Sequence, residues 1–131
     1  MASIQKEIVV RASPEAAWDA IADIGALHTR LVPGFVVDTR LEPGARVVAF
    51  GNGMVVREPI VTLDAAARRL VWSAEGRTTH YNAAVQVFAY DEGARITWTT
   101  DLLPDSLKDE IAAAMDMGLA VMKKTLNGLA E

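Results

Sequence analysis

The sequence predicts an α+β fold: a curved, seven-stranded antiparallel sheet wrapped around one long C-terminal helix, with two short helices after the first strand. Three observations carry this expectation. Residues 35–103 divide into six strand-length segments separated by turn residues at hairpin spacing. Residues 105–129 carry one unbroken helical stripe of apolar side chains. Between the first strand and the second, Ser13-Pro14-Glu15 reads as the start of a helix. An antiparallel sheet with one apolar face must cover that face, and only the last helix is long and apolar enough to do so.

The elements follow in order. Residues 3–11 alternate, with Ile4, Ile8 and Val10 on one face, as a half-buried strand does. Ser13 is a good N-cap, Pro14 suits the first helical position, and Glu15 favours the positive end of the helix dipole. Residues 16–23 then form a short helix expected to bury Trp18 and Ile21, stopped at Gly25. Residues 26–31 read as one or two further helical turns, ended by Pro33-Gly34. The six strands are 35–41, 45–50, 54–63, 68–75, 80–90 and 94–103. Gly51-Asn52-Gly53 supplies the positive-φ residues of a tight hairpin. In the final helix the stripe is Leu107, Ile111, Met115, Leu119, Met122, Leu126 and Leu129. Asp105, Asp109 and Glu110 at its start and Lys123 and Lys124 near its end suit the macrodipole, and Asn127-Gly128 is a plausible stop.

The 131 residues suit one domain, 1–131, and a composition 51% hydrophobic and 23% charged suits a folded core. Lys and Arg number 13 against 17 Asp and Glu, with no basic block, so a nucleic-acid partner is not expected. There is no cysteine, which removes thiol chemistry and thiolate metal sites. The N-terminal residues carry Lys6 and Glu7 where a secretory leader needs an apolar run. No apolar stretch approaches the roughly 20 residues of a bilayer-spanning helix, so stable membrane insertion is not expected. The expected setting is cytoplasmic, as a monomer or homodimer. Gly51-Asn52-Gly53 is not a dinucleotide loop, because Val56 stands where the third glycine belongs and no helix follows. No phosphate-binding loop or Gly-x-Ser-x-Gly nucleophile is present. His28 and His80 alone make no metal site. No cofactor is implied.

This order of elements resembles a known family. The supporting segments are Ser13-Pro14-Glu15-Ala16-Ala17-Trp18, Arg57-Glu58-Pro59-Ile60-Val61, Arg68-Arg69-Leu70-Val71-Trp72, Gly93-Ala94-Arg95-Ile96-Thr97-Trp98, and Asp101-Leu102-Leu103-Pro104 before the last helix. Over about 3–129 the chain resembles the START-like, helix-grip (SRPBCC) superfamily, and in particular its small bacterial polyketide cyclase/dehydrase and lipid transport proteins. The resemblance implies a hydrophobic cavity between the concave sheet face and the long helix. Members hold lipids, hormones or polyketides there. Some catalyse cyclisation or dehydration. The fold alone does not choose among these tasks.

Strand alternation nominates the lining. Ile96, Trp98, Thr100 and Leu102 form the less polar face of the last strand; Arg95 and Asp101 belong to the other face. Tyr81, Ala83, Val85 and Val87 are the better inward set of the strand before it, which turns His80 outward. Leu70, Trp72 and Ala74 face inward, with Arg69, Val71 and Ser73 outward. For 54–63 the residues leave both facings open, and similarity to the receptor branch of the superfamily places Val56, Glu58 and Ile60 inward. Met115, Leu119 and Met122 of the helix point at the sheet. The expected ligand-binding set is therefore Val56, Ile60, Leu70, Trp72, Ala83, Val85, Trp98, Thr100, Met115, Leu119 and Met122. Aromatic walls facing adaptable methionines suit a flat apolar ligand; the same residues also suit a filled core.

Glu58, if inward, is a carboxylate in apolar surroundings, with a raised pKa suited to proton abstraction or to a ligand hydroxyl or amine. If outward, it is a solvated charge beside Arg57 or Arg69. Tyr81 is its expected partner, and His28 is a candidate acid or base near the mouth, or a surface histidine. Three functions stay open: binding of a small hydrophobic ligand, a cyclase/dehydrase-like enzyme using Glu58, and a non-catalytic interaction protein with a filled core.

Overall fold

The computed structural model describes residues 1–130. The chain runs β1 (Ala2–Val10), α1 (Pro14–Ala22), a π-helical turn (Leu27–Leu31), β2 (Val36–Glu42), β3 (Ala45–Phe50), β4 (Val55–Asp64), β5 (Arg69–Ser73), β6 (His80–Tyr90), β7 (Gly93–Leu103), a 3-10 turn (Asp105–Leu107) and α2 (Lys108–Gly128). The seven strands form one antiparallel sheet in the order β1-β7-β6-β5-β4-β3-β2. Strands β2 to β7 are thus a meander, and β1 returns to pair with β7, Ala2 opposite Leu102 and Val10 opposite Ala94. The expected fold class is the one observed.

Local chemistry explains the elements. Ser13 Oγ accepts from the Ala16 amide at 3.1 Å, so α1 starts where its cap is. Gly53 takes φ +91° in the β3–β4 turn, and the Gly53 amide donates to the Phe50 carbonyl at 3.0 Å. Register shifts between Val36 and Asp38 and between Ile60 and Thr62 mark bulges, which bend a sheet. At Gly93 an added Cβ would meet the Val10 carbonyl oxygen, so only glycine lets β7 pass the end of β1 at this distance.

The main core joins Ala17, Ala20 and Ile21 of α1 to Leu70, Val85, Val87 and Ile96 of the sheet and to Leu119, Met122 and Leu126 of α2. A smaller cluster packs Ala2, Ile4 and Leu102 against Met115. Alternation in β1 is as expected, with Ile4 and Val10 buried and Ile8 half-buried.

Four details differ from expectation. Trp18 is only half-buried, because α1 turns Ala17, Ala20 and Ile21 to the sheet instead. The second short helix is a single π-helical turn. The last helix begins at Lys108, three residues late, because Asp105–Leu107 closes a separate 3-10 turn. Val71, assigned to the outer face, is nevertheless buried at 4% exposure. Among the described residues no helix is long and apolar enough to cross a membrane.

Candidate functional site

A cavity of about 560 Å³ lies between the sheet and α2. The space is open, so the filled-core alternative does not describe it. One wall is aromatic. The Trp72 and Trp98 rings, from β5 and β7, stand 6.0 Å apart at 50°. Phe35 and Phe50 meet edge to face at 5.5 Å. Met115 and Met122 of α2 line the opposite side. Gly118 lies between them: an added Cβ would sit 3.1 Å from Phe35 and 3.2 Å from Trp98. The missing side chain lets both rings lie back against the helix. Met54, Val55 and Met117 line the cavity and are 41%, 66% and 63% exposed, so they form an apolar rim.

A single buried charged pair interrupts this lining. Arg46 on β3 and Glu58 on β4 are register partners, 2% and 7% exposed. Arg46 Nε donates to Glu58 Oε1 at 2.8 Å. The guanidinium carbon stands 5.3 Å from the Trp72 ring centroid, a cation–π contact, and Nη1 reaches the Ile24 carbonyl at 3.5 Å. Burial pushes the Glu58 carboxyl above the usual carboxylate range, while the charge and hydrogen bond of Arg46, and more weakly the nearby Trp72 N–H, pull it back. Burial also pushes the Tyr81 phenol up to about 12, helped by the Glu58 charge and opposed by Thr100 and Arg46. Tyr81 therefore stays protonated and able to donate. Trp72 Nε1, Trp98 Nε1 and Thr100 Oγ1 are buried without hydrogen-bond partners.

Of the residues singled out from sequence, Glu58, Tyr81, Val56, Leu70, Trp72, Val85, Trp98, Met115 and Met122 border the cavity. Glu58 therefore faces inward, and its hydrogen-bond partner is Arg46 rather than the expected Tyr81, whose phenol leans on Thr100. Arg57 joins Glu42 and Glu75 on the outside at 3.0 and 2.7 Å. Ile60, Ala83, Thr100 and Leu119 do not reach the space. Ala83 is fully buried in register between Trp72 and Thr100, too small to project past them. Thr100 is likewise fully buried, Leu119 belongs to the packed core, and Ile60 sits at the β4 bulge against that core. His28 also stands away: the π-helical turn aims its Nδ1 at Thr39 Oγ1, 3.2 Å off, so it braces β2.

Sequence reasoning missed Arg46, Phe35, Phe50 and Gly118. For Arg46 the signal was present. A hairpin centred on Asn52 sets residue 46 opposite 58, so an inward Glu58 requires an inward Arg46.

Comparisons with known proteins agree with this architecture. The family model described as "Polyketide cyclase / dehydrase and lipid transport" matches residues 1–131. No curated protein matches the sequence significantly. Among solved structures, XoxI from Bacillus cereus superposes with a TM-score of 0.83 at 20% identity, over 98% of this chain and 95% of that one. The di-domain aromatase/cyclase BexL of the BE-7585A biosynthetic pathway gives 0.82 at 17% identity, over 96% of this chain and 46% of that one. Norcoclaurine synthase from Thalictrum flavum, in complex with dopamine and hydroxybenzaldehyde, gives 0.70 at 18%, over 98% of this chain and 85% of that one. At these identities the likeness is one of fold.

Proposed function

Because the chain belongs to the polyketide cyclase/dehydrase and lipid transport family, we propose that it binds a small hydrophobic ligand between sheet and C-terminal helix. A lipid, a polyketide or another aromatic or isoprenoid-like molecule fits the chemistry. The observation that carries this reading is the cavity of about 560 Å³ walled by Trp72 and Trp98. Its size falls within the roughly 300–1,000 Å³ of small-molecule sites, and an apolar wall with few polar groups is their usual make-up. The acidic balance argues against a nucleic-acid partner, and on this reading the protein works in the cytoplasm as a monomer or homodimer.

The test is a tryptophan-fluorescence titration with aromatic polyketides, flavonoids, sterols, fatty acids and isoprenoids. Saturable quenching by at least one class, weakened by the cavity-filling Val56→Phe, supports the reading. Silence from every class overturns it.

A second reading rests on one observation, a buried carboxylate with a raised pKa beside a protonated phenol. In a cyclase/dehydrase-like reaction Glu58 takes a carbon-bound proton while the Tyr81 hydroxyl steadies the neighbouring carbonyl oxygen. His28 has no part in it. Loss of turnover in Glu58→Gln with binding retained supports catalysis; binding without turnover of any ligand leaves the first reading alone.

A further inference from the structure

We propose that the Arg46–Glu58 pair is a head-group subsite for an uncharged group that both donates and accepts hydrogen bonds, such as a primary amide or an un-ionised hydroxy-carbonyl, on an otherwise apolar ligand. The proposal rests on the reading of the cavity as a binding site.

The contact between the two residues is single-point. Nε meets Oε1 at 2.8 Å, and no second arm pairs with the carboxylate as in a fork-to-fork contact. Besides Arg46, only the Trp72 side chain among the described residues acts on the Glu58 carboxylate, which keeps lone pairs to spare; the Arg46 contacts described use Nε and Nη1 and not Nη2, and both residues border the cavity. An acceptor and a donor are therefore available side by side. The Trp72 N–H, which leans on the Glu58 carboxylate without closing a hydrogen bond of good geometry, can turn to a ligand as a second donor. A group with one acceptor and one donor answers both.

Charge then selects among such groups. The pair is neutral as a whole. The other charged lining residues, Glu75, Arg77 and Glu110, are more than half exposed and already paired: Arg77 with Glu110 and Glu75 with Arg57, each at 2.7 Å. A carboxylate or ammonium head would thus bring an uncompensated charge into apolar surroundings, at a large desolvation cost. Stability gives no competing reason for the pair, since buried ion pairs are commonly replaced by apolar residues without loss.

The experiment compares four probes on one scaffold: naphthamide, naphthoate, naphthylmethylammonium and methylnaphthalene. On the unaltered protein, naphthamide is expected to bind about tenfold tighter than each of the others. In Glu58→Gln the acceptor oxygen is exchanged for a donor and the pole becomes cationic, so the preference should move to naphthoate. In Arg46→Met/Glu58→Met the amide-to-hydrocarbon ratio should fall to about one. An ion binding tightest to the unaltered protein, equal binding of all four, or an amide preference that survives Glu58→Gln overturns the subsite while leaving the cavity a binder. Failure of all four probes, with silence across the ligand panel above, overturns the cavity reading and the subsite with it.

Discussion

Removing the Arg46 guanidinium strands the Glu58 carboxylate in apolar surroundings. Arg46→Met is expected to cost about 3–5 kcal/mol at neutral pH by chemical denaturation. The sign of the pH dependence follows from the raised Glu58 pKa. Between the ordinary carboxylate range and that higher value, the folded state holds a proton that the unfolded state has released. Stability therefore falls as pH rises through this window and is recovered on acidification. Without Arg46 the Glu58 pKa climbs further, so the deficit of Arg46→Met should shrink at mildly acid pH; a deficit that grows there contradicts the assignment. For Tyr81, whose phenol burial pushes up to about 12, Tyr81→Phe should remove the most alkaline step of an ultraviolet phenolate titration. At this scale the sequence was half legible. Strand alternation placed Trp72 and Trp98 correctly because their faces differ in polarity. It left β4 undecided because both of its faces mix polar and apolar residues, and it hid Arg46 because a strand arginine reads as an outer-face charge.

Among the elements, α2 shapes the cavity most directly. Its Gly118 gives up about 1 kcal/mol of helix propensity relative to alanine, and the Phe35 and Trp98 contacts at 3.1 and 3.2 Å show what is gained. Gly118→Ala should leave stability within about 1 kcal/mol, propensity offsetting crowding. It should push one ring into the cavity, so that bulky ligands weaken more than small ones in a paired fluorescence titration. The N-cap of α1 is a separate test: Ser13→Ala should cost about 1 kcal/mol without altering ligand affinity. Strands and hairpins were legible because turn residues punctuate them. The turn at Leu27–Leu31 was legible as helical but not as π-helical, since five residues are too few to show a period. The start of α2 was blurred because Asp105 and Ser106 resemble helix-start residues while serving a 3-10 turn.

At the scale of the whole molecule, sheet and helix depend on each other. Met115, Leu119, Met122 and Leu126 owe most of their burial to the sheet, and α2, with α1 and the π-helical turn, covers its concave face. A chain lacking Lys108–Gly128 should lose cooperative unfolding, expose apolar surface to a hydrophobic dye and aggregate. The architecture as a whole was legible because one sheet and one long apolar helix have few ways to bury each other.

The pairing of β1 with β7 has a consequence for synthesis. Translation at about 5–20 residues per second separates Val10 from Gly93 by roughly 4–17 seconds. A hairpin closes in microseconds. The β2–β6 meander therefore has time to zip on the ribosome while β1 waits for its only strand partner and the apolar face for its helix. A nascent chain arrested before β7 should thus be a chaperone client, and one released with α2 complete should not.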